Sequence, residues 1–198
     1  MVTRKKANME KVIKIIYKEV EKRCKVKTNA YGIGAWDHHI KLVYEIAIAN
    51  CEKYNADCEI VALSALLHDI ASVTNKEYEK NHHALGADIA EKLLKKHGVE
   101  MKKVEHVKKC IFNHRGSKPN EKTTNEEVCV ADADAMAHFF SIPSLLKMAY
   151  VNKNMDIDEG ALFVLNKLER SYEKLSNKGK EIVADKYIAV KKILDVQI

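Results

Sequence analysis

The sequence predicts an all-α protein, a bundle of about eight or nine helices. Among 198 residues there are only 7 Gly and 2 Pro, too few breakers for the many turns that short strands need. Apolar residues recur at helical spacing along most of the chain. Hydrophobic residues make up 46% and charged residues 31%, a balance typical of a globular domain. With no internal repeat or linker, we expect a single domain over residues 1–198.

The first 70 residues or so are predicted to form three helices. The first covers residues 9–24, and a glycine-containing loop follows over 25–35. Asp37 can cap a second helix that runs to about residue 55. A third helix starts at Asp57 or a neighbouring residue, and its body, residues 60–67, is apolar on nearly all sides. A helix of this kind belongs in the middle of a bundle.

Three capping boxes, in which an oxygen-bearing side chain is followed three residues later by Glu, predict further helix starts. They are Thr74-x-x-Glu77, Thr124-x-x-Glu127 and Asp156-x-x-Glu159. The first opens a helix over about 75–97, and the second one that reaches Phe140. Two more helices are predicted, one on the apolar stripe between residues 104 and 111 and one over 179–195. We expect residues 141–198 to complete the bundle, shape a substrate pocket or make a homodimer contact.

The net charge is +6, but the lysines alternate with Glu and form no basic patch. That pattern disfavours a nucleic-acid partner and suits solvated helix faces. The five cysteines are odd in number and form no C-x-x-C pair, so we expect idle thiols in a reducing cytoplasm. The N-terminus lacks an apolar leader, and no stretch approaches 18 clean apolar residues. We therefore expect a cytoplasmic protein with no membrane span.

Five of the nine histidines lie on apolar stripes of predicted helices. These are His39, His68, His82, His83 and His114. One such histidine is more often a satisfied core residue than a ligand. Several on different helices cannot all be satisfied in an apolar core unless they converge on polar partners or a metal.

Aspartates accompany these histidines. Asp69 follows His68 at the end of the most apolar helix, where a buried carboxylate needs a cation or donors. A divalent metal suits both imidazole nitrogen and carboxylate oxygen. Asp132 and Asp134 lie about 200° apart around their helix, so only one should face a site. The more apolar stripe favours Asp132.

The order of these motifs resembles the HD-domain superfamily of metal-dependent phosphohydrolases. The stretches 36–43 and 62–70 look like its first-histidine helix and its central His-Asp signature. Residues 82–87 resemble its third helix, His114 a further family histidine, and residues 132–136 its last ligand segment. The resemblance covers about residues 30–140.

The resemblance implies that His39, His68 and Asp69 bind a metal. It favours Asp134 as the last ligand, since Met136 follows as the family's apolar residue, and Asp132 remains the alternative. Asp69 would also orient or deprotonate the attacking water. Three more histidines would bind a second metal, hold phosphate or protonate the leaving oxygen: His82, His83 and His114. Mixed nitrogen and oxygen ligands suit Mn, Fe, Co, Ni or Mg, with Zn as a further option.

The expected function is hydrolysis of a phosphomonoester or phosphodiester by metal-activated water, with a small phosphorylated substrate such as a nucleotide. Lys41 or Arg115 could supply positive charge. Many relatives carry Arg where this chain has Leu42, which keeps open a non-catalytic module that binds a nucleotide or a partner. An oxygen-using di-iron protein is a further rival. Ile70-Ala71-Ser72 after the His-Asp pair argues against the cyclic-dinucleotide phosphodiesterase branch.

Overall fold

The computed structural model describes residues 2–32, 34–115 and 122–194. These residues contain ten α-helices and no β-strand. The predicted all-α class is therefore confirmed. The helices are α1 (Val2–Cys24), α2 (Lys41–Asn50), α3 (Cys58–Leu67), α4 (Ile70–Thr74), α5 (His82–Lys96), α6 (Met101–Asn113), α7 (Asn125–Phe140), α8 (Ile142–Lys147), α9 (Ile157–Lys174) and α10 (Asn177–Leu194). Their number exceeds the predicted eight or nine because the short helices α4 and α8 are separate elements.

The described residues form two compact units, and the division lies inside α7. One unit ends at Ala131 and the other begins at Asp132. The first unit contains α1 to α6 and the start of α7. The second contains the rest of α7 together with α8, α9 and α10. The expectation of one domain over the whole chain stays a prediction.

Helix α3 forms the middle of the first unit, as its all-round apolar surface predicts. Every residue from Ile60 to Leu67 is buried, and the helix packs against α1, α2 and α6. Asp57 starts it, because the carboxylate accepts hydrogen bonds from the backbone N–H groups of Glu59 and Ile60. Burial of each large aliphatic side chain contributes roughly 1.5–3 kcal/mol. The position of the C-terminal end of α3 is therefore strongly fixed.

Helix α5 comes very close to α3 and α6 at Gly86. A Cβ atom there would lie 3.3 Å from Cγ2 of Ile111 and 3.6 Å from the backbone oxygen of His68. The contact with His68 is an ordinary van der Waals distance, whereas a Cβ would require the Ile111 side chain to shift by a few tenths of an ångström. The close contact brings the start of α5, one turn before Gly86, toward the C-terminal end of α3.

Two of the three predicted capping boxes are present. Thr124 accepts a hydrogen bond from the backbone N–H of Glu127 at 3.3 Å. Asp156 accepts one from Glu159 at 2.8 Å. Each bond satisfies a donor that the first turn of a helix would otherwise leave unpaired. The last helix begins at Asn177, two residues before its predicted start.

The third predicted box, at Thr74, is wrong. The Thr74 hydroxyl donates to the backbone oxygen of Ile70 at 2.6 Å, a bond to its own helix that competes with capping the next one. Asn75 replaces it and accepts from the N–H of Glu77. The expected helix over 75–97 is therefore a 3₁₀ helix, Lys76–Asn81, followed by α5.

Asp37 is also not a cap, contrary to expectation. It lies exposed within a π-helical turn, Trp36–Ile40, that precedes α2. Trp36 and Ile40 are the buried residues of this turn. Wide turns of this kind occur mostly within helices and often at functional positions.

The cysteine prediction is wrong for one pair, because Cys51 and Cys58 form a disulfide. This bond joins the end of α2 to the start of α3. No sign of this pair is visible in the sequence because the two cysteines are seven positions apart, and only the turn between the helices brings them together. Cys24, Cys110 and Cys129 are buried free thiols, and burial raises the pKa of the Cys24 and Cys110 thiols to about 12.

Glu127 ties the start of α7 to the end of α6. Its buried carboxylate accepts a hydrogen bond of 2.6 Å from the Asn113 side chain and lies 3.4 Å from Nζ of Lys109. Burial would raise the pKa of Glu127, but the bond from Asn113 and the charge of Lys109 hold that pKa below its ordinary value. The ionised carboxylate therefore fixes the end of α6.

The second unit is held by contacts among its own helices. Helix α9 packs against α8 and α10, and Tyr172 of α9 stacks on Tyr187 of α10 with ring centroids 3.9 Å apart. No helix in the described parts of the chain is both long and apolar enough to cross a membrane.

We predict that Cys58→Ser lowers the free energy of unfolding by about 2 kcal/mol, since it releases a constraint on the unfolded chain. Urea unfolding of wild type and variant, each with and without dithiothreitol, measures this. The reductant should shift the wild-type midpoint to that of the variant and leave the variant unchanged. A wild-type midpoint that is insensitive to the reductant would contradict the prediction.

We predict that Glu127→Gln costs about 1 kcal/mol of stability at pH 7. Because the folded-state pKa is lowered, ionised Glu127 stabilises the fold above the unfolded value near 4.5. This contribution is lost as the pH falls through the folded-state value. The stability gap between wild type and variant, measured by urea unfolding from pH 7 to 3, should therefore shrink. A Glu10→Gln control at an exposed position should track the wild type, whereas a pH-independent gap for Glu127→Gln would refute the assignment.

Candidate metal centre

Five of the predicted site residues meet in the first unit, around the carboxylate of Asp69. Each part of the cluster comes from a different place in the chain. His39 lies in the π-helical turn, and His68 and Asp69 lie between α3 and α4. His82 begins α5, and His114 follows α6. Motifs that are far apart in the sequence therefore lie close together in the fold.

The two oxygens of Asp69 face two different pairs of histidines. Oδ2 lies 3.4 Å from Nε2 of His39 and 3.5 Å from Nε2 of His68. Oδ1 lies 3.4 Å from Nε2 of His82 and 3.8 Å from Nε2 of His114. Asp69 is therefore placed between two separate groups of nitrogen atoms.

Within each pair, the two imidazole nitrogens lie close together. The Nε2 atoms of His39 and His68 are 3.3 Å apart. Those of His82 and His114 are 3.2 Å apart. All four histidines thus turn the same ring atom, Nε2, toward Asp69.

Backbone carbonyls orient three of these rings. Nδ1 of His68 lies 2.8 Å from the oxygen of Ala65, and Nδ1 of His82 lies 2.7 Å from that of Glu79. Nδ1 of His114 lies 2.5 Å from the oxygen of Ile111. A carbonyl oxygen only accepts hydrogen bonds, so each Nδ1 carries the hydrogen. In the neutral ring, each Nε2 then presents a lone pair.

The Nε2 lone pairs of His82 and His114 face each other, and those of all three rings face a carboxylate, so the donor set fits a cation. Two nitrogen lone pairs at hydrogen-bond distance repel unless a proton or a metal lies between them. Asp69, His82 and His114 have ligand atoms that all lie within 4.8 Å of one another. Imidazole nitrogen fixed through its other ring N–H, together with carboxylate oxygen, is a common ligand set for transition metals.

The negative charge of Asp69 also indicates that this cluster suits a cation. Its side chain is only 7% exposed. Burial alone would raise its pKa, but the His68 and His39 imidazoles beside it hold the pKa of this carboxyl well below its ordinary value. Asp69 is therefore an anion at neutral pH, and a buried anion requires a cationic partner.

Two other predicted site residues, His83 and Asp132, are placed differently. His83 is buried with its ring centroid 5.3 Å from that of Phe112, and among the described residues it is not in the ligand-atom clusters. Asp132 is buried in the second unit, where its carboxylate accepts hydrogen bonds from the backbone N–H and the hydroxyl of Ser176 at the start of α10. Asp134 is half-buried on α7.

The two cations named as substrate contacts have protein partners. Arg115 donates to the backbone oxygen of Lys80 at 2.8 Å, which ties it to the turn before His82. Lys41 lies 3.8 Å from Glu45 of its own helix. Sequence reasoning missed Tyr31, whose ring centroid lies 6.3 Å from that of His39. A lone tyrosine in a glycine-containing loop gave no signal for this position.

Comparisons with known proteins agree with this arrangement. Ribonuclease Y of Pseudothermotoga lettingae is 32% identical over 108 residues, which are 54% of this chain and 19% of that protein. A tRNA (cytidine(56)-2'-O)-methyltransferase of Thermoplasma volcanium is 34% identical over 137 residues, 63% of this chain and 38% of that protein. The chain therefore spans less than two fifths of the length of these relatives.

Solved structures show the same fold. The crystal structure of Bacillus subtilis YpgQ has a TM-score of 0.72 at 19% identity, over 94% of each chain. A complex of YpgQ with ADP has a TM-score of 0.62 at 19% identity, over 92% of this chain and 94% of that one.

A family model described as the HD domain matches residues 36–138. The matched range contains every ligand of the cluster around Asp69. It covers more than half of the 198 residues. The chain therefore belongs to the HD-domain family.

Proposed function

We propose that this protein is a metal-dependent phosphohydrolase that holds two divalent ions, one on each side of Asp69. The observation that carries the proposal is the division of the Asp69 carboxylate between two histidine pairs. A single bound cation would use only one of these pairs. With two ions, each oxygen of Asp69 and each histidine pair would bind a metal.

The ligand sets follow from the distances. His39, His68 and Oδ2 of Asp69 would hold the first ion. His82, His114 and Oδ1 would hold the second. The family resemblance adds Asp134 to the first set. The hydrogen bonds that Asp132 already accepts from Ser176 support Asp134 over Asp132, because a carboxylate that caps a helix is less available to a metal.

Bound divalent ions lower the pKa of water and neutralise charge on phosphoryl oxygens. The chain contributes the fixed positions of the ligands. Asp69 balances positive charge as a buried anion and can orient the attacking water. The carbonyl-bound Nδ1 atoms keep His68, His82 and His114 in the tautomer that presents Nε2.

A small phosphorylated substrate, such as a nucleotide, suits this site best. The chain carries a net charge of +6, which favours anionic ligands. YpgQ, which has the same fold, was crystallised with ADP. The named relatives act on RNA by their names, so a phosphodiester stays within the proposed substrate class.

A non-catalytic nucleotide-binding or partner-binding module is the second candidate. The observation that favours it is Leu42, an apolar residue where many relatives have Arg. Metal and nucleotide binding without turnover across a panel of phosphomonoesters, nucleotides and cyclic diesters would favour this candidate.

We predict two divalent ions per chain for protein loaded with Mn²⁺ and freed of excess metal, measured by plasma mass spectrometry. His114→Ala should leave one ion, because only the second set loses a ligand. Asp69→Ala should lose both ions. It should also lower phosphohydrolase activity by more than about 100-fold, a larger loss than substitution of a residue that only orients a metal ligand usually causes. His97→Ala, at the end of α5, is the matched control and should keep both ions.

Either of two results would refute this assignment. One is equal metal content in wild type, His114→Ala and Asp69→Ala. The other is a single ion in the wild type that His114→Ala leaves in place. Circular dichroism of each variant confirms that it is folded.

We predict opposite effects of Asp134→Ala and Asp132→Ala. Asp134→Ala should lower the metal content. Asp132→Ala should keep the metal and cost about 1–2 kcal/mol, because α10 loses its capping acceptor. Loss of metal in Asp132→Ala alone would reverse the assignment.

A further inference from the structure

The loop that precedes the π-helical turn is rigidly built around Asn29. This side chain is buried, and its Nδ2 donates to the backbone oxygens of Cys24 at 2.7 Å and Gly32 at 3.0 Å. Its Oδ1 accepts from the backbone N–H of Tyr31 at 2.8 Å. One amide thus fixes the backbone on both sides of Tyr31.

The same loop is attached to the segment that follows Asp69. The N–H of Ala30 donates to the oxygen of Ser72 at 3.0 Å, and the N–H of Lys76 donates to the oxygen of Thr28 at 2.8 Å. The Thr28 hydroxyl also donates to the oxygen of Thr74. The loop therefore holds a fixed position relative to the metal centre.

This rigid loop presents an aromatic ring beside a metal ligand. The Tyr31 ring lies 6.3 Å from the His39 ring, with the two planes at 75°. Even so, the residue is 38% exposed. A large aromatic residue gains most of its stabilisation from burial, so a loop built to keep one partly exposed suggests a contact with a ligand.

We propose that Tyr31 stacks against the base of a nucleotide whose phosphates bind at the metal centre. The inference rests on the proposed phosphohydrolase function and narrows its substrate class to nucleotides. A neutral ring adds little to the binding of a phosphate group alone. It adds a stacking surface for a flat base, a contact that alanine substitution weakens substantially in other proteins.

The test compares two non-hydrolysable ligands, the methylene analogue of ADP and methylenediphosphonate, which lacks the nucleoside. Calorimetry measures the dissociation constant of each for the full chain loaded with Mn²⁺. We expect the nucleotide analogue to bind the wild type more tightly. Tyr31→Ala should weaken the analogue about tenfold and leave methylenediphosphonate unchanged.

Three further variants separate stacking from other roles. Tyr31→Phe keeps the ring and should bind both ligands like the wild type. Tyr31→Leu keeps apolar bulk without a ring and should behave like Tyr31→Ala, which keeps the test valid if the alanine variant is unstable. Val26→Ala changes an exposed apolar residue of the same loop, 42% exposed, and should change neither affinity.

The possible results distinguish this inference from the function on which it rests. If Tyr31→Ala and Tyr31→Leu weaken both ligands equally, Tyr31 supports the centre structurally and the stacking inference is wrong. The same holds if neither variant changes either affinity. If methylenediphosphonate does not bind metal-loaded wild type, the proposed function fails and the inference fails with it.

Discussion

The buried carboxylate of Asp69 is the constraint on which the first unit depends. An anion removed from water is costly unless positive charge or hydrogen-bond donors meet it. Four imidazoles from four separate places in the chain surround it, and a proton or a metal ion between their Nε2 atoms and the carboxylate would supply that positive charge. Each must arrive within about 4 Å of one carboxylate, so the elements that carry them have little freedom to move. The packing of α3, α5 and α6 can therefore be understood as the means of satisfying one charge.

Small residues and short links make that convergence geometrically feasible. Gly86 allows α5 to approach the His68 backbone and Ile111 within van der Waals distance. The disulfide between Cys51 and Cys58 limits the separation of α2, which follows His39, from α3, which precedes His68. Neither feature touches the carboxylate. Both determine distances between its partners, so substitutions there would act on the metal centre without removing a ligand.

The parts of this structure that the sequence predicted depend on local patterns. The apolar surface of α3 and its start near Asp57 depend on burial and hydrogen bonds within one helix. The His-Asp pair could be recognised because it directly follows this apolar helix. The disulfide, the π-helical turn and the placement of Tyr31 depend on contacts between distant segments, which no local pattern encodes. Thr74 was misassigned because its hydroxyl could bond either to its own helix or to the next. The choice between Asp132 and Asp134 required the rotation of a helix, to which periodicity is a poor guide.

The positions of three histidines of the cluster at helix ends provide a physical reason for their orientation. His68, His82 and His114 each directly follow a helical segment, where the last carbonyl groups have no partner within the helix. Each ring donates from Nδ1 to the carbonyl three residues before it. This hydrogen bond turns Nε2 toward Asp69, and at Glu79 it adds to the bond that the carbonyl already accepts from the backbone N–H of His82. His97 also follows a helix, α5, but it is not in the ligand-atom clusters of the described residues. A helix end therefore orients the ring, and convergence on the carboxylate distinguishes the three histidines of the cluster from His97.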